Sequence, residues 1–140
     1  MEIEEPFFDL IINGNLQEIQ EFYNNNPSIS NSANDEYVFC LACGEGHLEV
    51  AKWLLEIKPN INVSGDNEYA FCCVCAHGHL DVAKWLLEIK PDIVISSQNN
   101  IAFFNACRYK NNDIALWLST LDPKYVVIIK DDVILDYYVI

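Results

Sequence analysis

Apolar residues in the middle of the chain recur in steps of three and four. In "YAFCCVCAH" (69–77), Phe71, Val74 and Cys75 share one face of a helix. In "GHLDVAKWLLEI" (78–89), Leu80, Ala83, Leu86 and Leu87 share another. Gly78 lies between the two runs, where the chain must reverse. Beyond them "KPDIVISSQNN" is polar and turn-rich, and Pro91 stops the second helix. The segment therefore predicts helix–turn–helix–loop. Neither helix is long enough to be stable alone in water, so each needs a neighbour over its apolar face.

That neighbour is written in the same chain. "EGHLEVAKWLLEIKP" at 45–59 nearly repeats "HGHLDVAKWLLEIKP" at 77–91. Pro27, Pro59, Pro91 and Pro123 are each 32 residues apart. The same step relates Phe7, Phe39, Phe71 and Phe103; Cys43, Cys75 and Cys107; Trp53, Trp85 and Trp117; and Gly14, Gly46 and Gly78. A motif duplicated only for binding would not also keep the framework between its copies. The period predicts a stack of units, each contacting its neighbours. The expected boundaries are an N-terminal capping repeat at 1–31, repeats at 32–63 and 64–95, a divergent repeat at 96–127, and a half-repeat or tail at 128–140. Glu21 stands in the tryptophan column of the first unit, as the polar outside of a cap requires. In the tail, Leu135 aligns with Phe103, which predicts one more first helix over Val133–Ile140; the alternating "YVVII" also suits a short strand.

The units resemble the ankyrin repeat, through the period of about 33 residues, the "GH" between the helices and the "LEVAKWLLE" and "LDVAKWLLE" that follow. The likeness is strong over 32–60 and 64–92. It is weaker over 96–124, where Lys110 and Asn111 replace Gly–His, and weakest over the first 27 residues. The family's "TPLH" is replaced by "YVFC" and "YAFC", and its "GADVN" by "KPNIN". The resemblance implies an all-α solenoid of two-helix units, capped at both ends. The wording of the repeats is also similar to ankyrin arrays of giant DNA viruses, which would make the partner a host protein.

Charge narrows the function classes. With 21 acidic and 8 basic residues, the formal net charge is −13. Such a chain lacks the cations that neutralise a phosphate backbone, so neither nucleic acid nor a membrane is expected as partner. No basic leader and no apolar run of spanning length is present, which gives the expectation of a soluble cytoplasmic protein with reduced thiols.

Candidate chemistry is sparse. "CLAC" (Cys40, Cys43) and "CCVC" (Cys72, Cys75) have the spacing of zinc ligands. The repeat explains that spacing without a metal, because Cys43, Cys75 and Cys107 occupy a column where the ankyrin family carries a small alanine. Buried cysteine packs as a small hydrophobe. Cys73 and His77 lie one helical turn apart, but no acid is placed to orient the histidine. The glycines form no phosphate loop. No enzyme, metal or cofactor is expected. The resemblance assigns His47 and His79 to hydrogen bonds across the stack, and the tryptophan ladder to packing between units.

The expected function is protein binding by a non-catalytic module. In the ankyrin family, loop tips and exposed positions of the first helices line a concave face that selects partners. By column this implies Asn34, Glu36 and Glu45; Asp66, Glu68, Ala76 and His77; and Gln98, Asn100, Arg108 and Tyr109. The face is acidic with a Tyr/Arg end, suited to a partner with a basic surface. The alternatives are an adaptor recruiting a host ubiquitin-ligase component and a protein self-associating through its aromatic tail. A monomer is expected.

Overall fold

The computed structural model describes residues 3–31 and 34–140. Met1, Glu2 and the unit boundary placed at Ser32 lie outside the described residues. Four helix pairs follow one another: α1 (Glu4–Asn13) with α2 (Leu16–Asn25), α3 (Asp35–Gly44) with α4 (Leu48–Ile57), α5 (Gly65–His77) with α6 (Leu80–Ile89), and α7 (Ser97–Arg108) with α8 (Asn112–Leu121). A short 3₁₀ turn at Pro27–Asn31 follows α2. The first helices α1, α3, α5 and α7 pack side by side in that order, and each second helix packs on its own first helix.

The repeated columns are the core. Phe39, Phe71 and Phe103 are buried to 1% exposure or less, and Phe7 to 4%. Leu54, Leu86 and Leu118 fill the same position of successive second helices. The tryptophans join units rather than line a groove. Trp85 packs on Phe39 with ring centroids 6.2 Å apart, Trp117 on Phe71 at 6.3 Å, and Trp53 edge-on to Tyr23 at 5.4 Å. Glu21 is exposed at the equivalent place in the first unit.

The "GH" turn interlocks neighbouring units. Gly14, Gly46 and Gly78 all have φ between 76° and 84°, the left-handed region that favours glycine. A Cβ on Gly14 would enter the His47 ring, one on Gly46 the His79 ring, and one on Gly78 would lie 2.6 Å from the Asn111 amide oxygen. Each glycine thus makes room for the next unit's turn residue. His47 Nε2 is 2.7 Å from the Ile12 carbonyl. Asn111 takes the histidine's place with its amide, donating to the carbonyls of Cys75 (3.0 Å) and Ala76 (2.7 Å). The divergent turn of the last unit therefore keeps the cross-stack bond. Lys110 carries the positive φ of 60° there. In the first unit the Asn15 side chain caps α2 by accepting from the Glu18 N–H.

The tail departs from the expected helix. β1 (Tyr125–Lys130) and β2 (Val133–Val139) form an antiparallel hairpin. Asp131 and Asp132 join them with φ of 51° and 60°, the signs of a type I′ turn. Leu135 does not reach the core as alignment with Phe103 implied; it is 60% exposed, beside a bulge between Ile128 and Ile129. Alternation of β-branched and aromatic residues outweighs the helical register. The repeat does persist to the hairpin's first residue. Ile29, Ile61 and Ile93 form a buried column, and Tyr125 (2% exposed) continues it. Its ring stacks on Phe103 at 4.5 Å and its hydroxyl donates to Asn100 Oδ1 at 2.9 Å. Tyr137 closes over Phe103 and Phe104. The hairpin covers the end of the stack in place of another helix pair.

Candidate protein-binding surface

The loop tips that open α5 and α7 have an uncommon backbone. Asp66, Asn67 and Glu68 have φ of 52°, 55° and 66°; Gln98, Asn99 and Asn100 repeat this at 51°, 57° and 64°. Each tip is a short left-handed turn, which costs an L-residue about 1–2 kcal/mol per position and is least unfavourable for Asn and Asp. Asn or Asp fills four of these six places. The turns are held from outside. Glu68 Oε1 accepts from the Val94 N–H at 3.2 Å, and Ser97 Oγ donates to the Asn67 carbonyl at 2.9 Å.

These turns sort the sequence-derived surface residues. Asp66, His77, Gln98, Arg108 and Tyr109 are exposed, as are Asn34, Glu36 and Glu45. Glu68 is not: it is 6% exposed and its carboxylate points into the stack. Asn100 is half-buried and holds the Tyr125 hydroxyl. Both therefore join one repeat to the next rather than face a partner. Glu36 uses the same bond from a more open position, accepting from the Asn62 N–H at 3.3 Å. Ala76 is half-buried, and its carbonyl is taken by Asn111. Asn34 donates to Glu4 Oε2 at 3.4 Å, and Gln98 reaches the Asn67 carbonyl at the same distance.

Residue types alone missed the most prominent feature of this face. Tyr37 and Tyr69 are 53% and 46% exposed, at the same column of α3 and α5. Between them runs a groove of about 330 Å³, lined also by Glu36, Cys40, Asn62, Gly65 and Asp66. The signal was present in "YVFC" and "YAFC", which put a large ring in the first turn of each helix. The Phe8 ring packs edge-on with Tyr37, with centroids 5.2 Å apart, and Tyr69 lies one helical turn before Cys73 in α5.

The six cysteines are free, and none is a poised nucleophile. Burial pushes the Cys40 thiol up to about 12, helped by Cys73, Asp66 and Glu36. Burial raises Cys72 to about 11 and Cys107 to about 12, and it also raises Cys43, Cys73 and Cys75. At neutral pH these are neutral thiols, unlike the thiolates that attack or bind metals. Among the described residues no three His, Cys, Asp or Glu side chains converge as a metal site, and no helix is long and apolar enough to cross a membrane.

Comparison with known proteins agrees with this architecture. The family model for ankyrin repeats (3 copies) matches residues 7–97 and 39–127. A solved ankyrin repeat family protein from Legionella pneumophila is 25% identical, with a TM-score of 0.68 over 81% of this chain. The match spans 35% of that protein's chain. No curated protein matches. Four two-helix units interlocked through "GH" turns, and a family model spanning nearly all of them, place this chain in the ankyrin-repeat family.

Proposed function

We propose that the protein binds a protein partner through the face made by its loop tips and first helices, and that the partner presents a basic surface there. Ankyrin repeats generally mediate protein–protein interaction and are generally non-catalytic. The observation that carries the reading is the exposed pair Tyr37 and Tyr69 beside the carboxylates of Glu36 and Asp66. Large rings at a protein surface are frequent anchors of interfaces. Arg108 and Tyr109 supply a second cluster on the last unit. Across the whole chain, acidic residues outnumber basic ones 21 to 8, which speeds encounter with a cationic partner and opposes an anionic one.

The wording of the repeats, similar to that of giant-virus arrays, directs the search to a host-cell lysate. The protein and a variant carrying Glu36→Ala, Glu45→Ala, Arg108→Ala and Tyr109→Ala are used as baits, with circular dichroism showing that the variant folds. A protein held by the parent, lost from the folded variant and released by salt supports the reading. Equal retention by both overturns it.

The hairpin supports a second reading, self-association. Val133, Leu135, Tyr138 and Ile140 are 46–84% exposed on one terminal element. Light scattering across a concentration series tests it: a mass that stays at the 16.0 kDa monomer excludes it.

A further inference from the structure

The groove between α3 and α5 is more specific than an acidic patch. Helices in contact lie about 8–10 Å apart, so rings at one column of adjacent helices wall a slot between them. Tyr37 and Tyr69 line that slot, and the Phe8 ring packs against Tyr37. Asp66, Glu36 and the neutral Cys40 thiol also line the slot. At about 330 Å³, the groove is near the lower end of the roughly 300–1,000 Å³ typical of ligand sites. That suits a side chain better than a large cofactor. The slot is unique in the array: the column of Tyr37 and Tyr69 holds Glu5 in the first unit and Ile101 in the last.

From this arrangement we infer that the slot takes one arginine side chain of the protein partner, its guanidinium between the two tyrosine rings and its N–H groups toward Asp66 and Glu36. A planar guanidinium stacks on aromatic faces and forks onto carboxylates at once, which a lysine ammonium does not do. The net charge of −13 fits a cationic occupant. The inference rests on the first-helix face being the binding face, and names what that face reads.

The test is an NMR titration of the full chain with the peptide acetyl-Gly-Arg-Gly-amide, observing tyrosine ring signals assigned with Tyr37→Phe and Tyr69→Phe variants. Both rings are expected to shift saturably. The citrulline peptide, which keeps the shape and loses the charge, should bind about ten-fold more weakly, and the lysine peptide also more weakly. Asp66→Asn, an isosteric change at a position whose left-handed backbone Asn accepts, should weaken the arginine peptide without unfolding the protein. Citrulline or lysine binding as well as arginine overturns the inference, as does the absence of a shift at both rings. A captured partner that depends on Glu45 and Arg108 while the slot ignores arginine leaves the binding-face reading standing and removes only the slot. A partner indifferent to the whole face removes that reading, and the titration still judges the slot.

Discussion

Gly78→Ala should be among the most damaging of single-methyl additions, whereas the equivalent turn residue of the last unit should tolerate change. At Gly78 two costs combine. The backbone sits at φ 84°, where an L-residue loses about 1–2 kcal/mol. The added Cβ would also lie 2.6 Å from Asn111 Oδ1 and 3.0 Å from its Cγ, so the amide must move. Moving it weakens two hydrogen bonds, to the Cys75 and Ala76 carbonyls, each worth about 0.5–1.5 kcal/mol net. The expected loss is about 2–5 kcal/mol. Lys110 has the same backbone sign, but it is exposed and already carries a side chain there. Lys110→Gly relieves left-handed strain and raises the entropy of the unfolded chain, two effects of about 1 kcal/mol that oppose each other. Its stability should change by less than about 1 kcal/mol. Urea unfolding followed by circular dichroism measures both, with m checked for constancy. With m of about 1–3 kcal/mol/M, Gly78→Ala should lower the midpoint by roughly 1 M or more, and Lys110→Gly should leave it nearly in place. Equal effects at the two sites would refute the interlock.

Three further outcomes follow from the same contacts. Glu68→Ala should cost about 1–3 kcal/mol in urea unfolding, because it removes the carboxylate acceptor of a part-buried hydrogen bond from the Val94 N–H; the more open Glu36→Ala should cost less. Tyr125→Phe, which keeps the stack on Phe103 and removes the hydroxyl from Asn100, should cost about 1 kcal/mol, and Tyr125→Ala about 3–5 kcal/mol, both read from thermal melts. The thiols make the fold alkali-labile. Their folded pKa values lie above the unfolded value of 9.0, so the folded state retains protons that the unfolded state releases, and stability should fall as pH rises from about 9 to 12. Circular dichroism against pH checks this: replacing Cys40 and Cys107 by Ala should flatten the decline, and an unchanged profile would remove the thiols as its cause.

The units were legible because packing repeats. The phenylalanine, tryptophan and glycine columns recur every 32 residues because successive units meet in the same way, and they predict the helix pairs; the buried isoleucine and leucine columns emerge only from the structure. Two parts were hidden by backbone sign rather than by residue type. The left-handed turn at Asp66–Glu68 helps aim Glu68 inward at Val94, whereas helical or strand periodicity treats a loop-tip glutamate as solvated. At the C-terminus, Leu135 falls in the phenylalanine column by number only. Two residues with positive φ at Asp131–Asp132 reverse the chain before the helix expected there could begin.

The periodicity also separates framework from function. A column filled alike in every unit is explained by stacking, and Phe7, Phe39, Phe71 and Phe103 need no further account. Glu68 and Asn100 belong with them, because each is covered and accepts a hydrogen bond from a later part of the stack. Tyr37 and Tyr69 do not. Their column changes from Glu5 to tyrosine and then to Ile101, so the stack imposes no requirement for a ring there. Leaving two large rings about half in water gains only part of the burial energy that makes aromatic residues favourable in a core. A side chain that the repeat does not demand and that the fold only partly covers is best explained by what it meets outside the chain. By that criterion Tyr37 and Tyr69 are the first residues to substitute when the proposed binding face is tested.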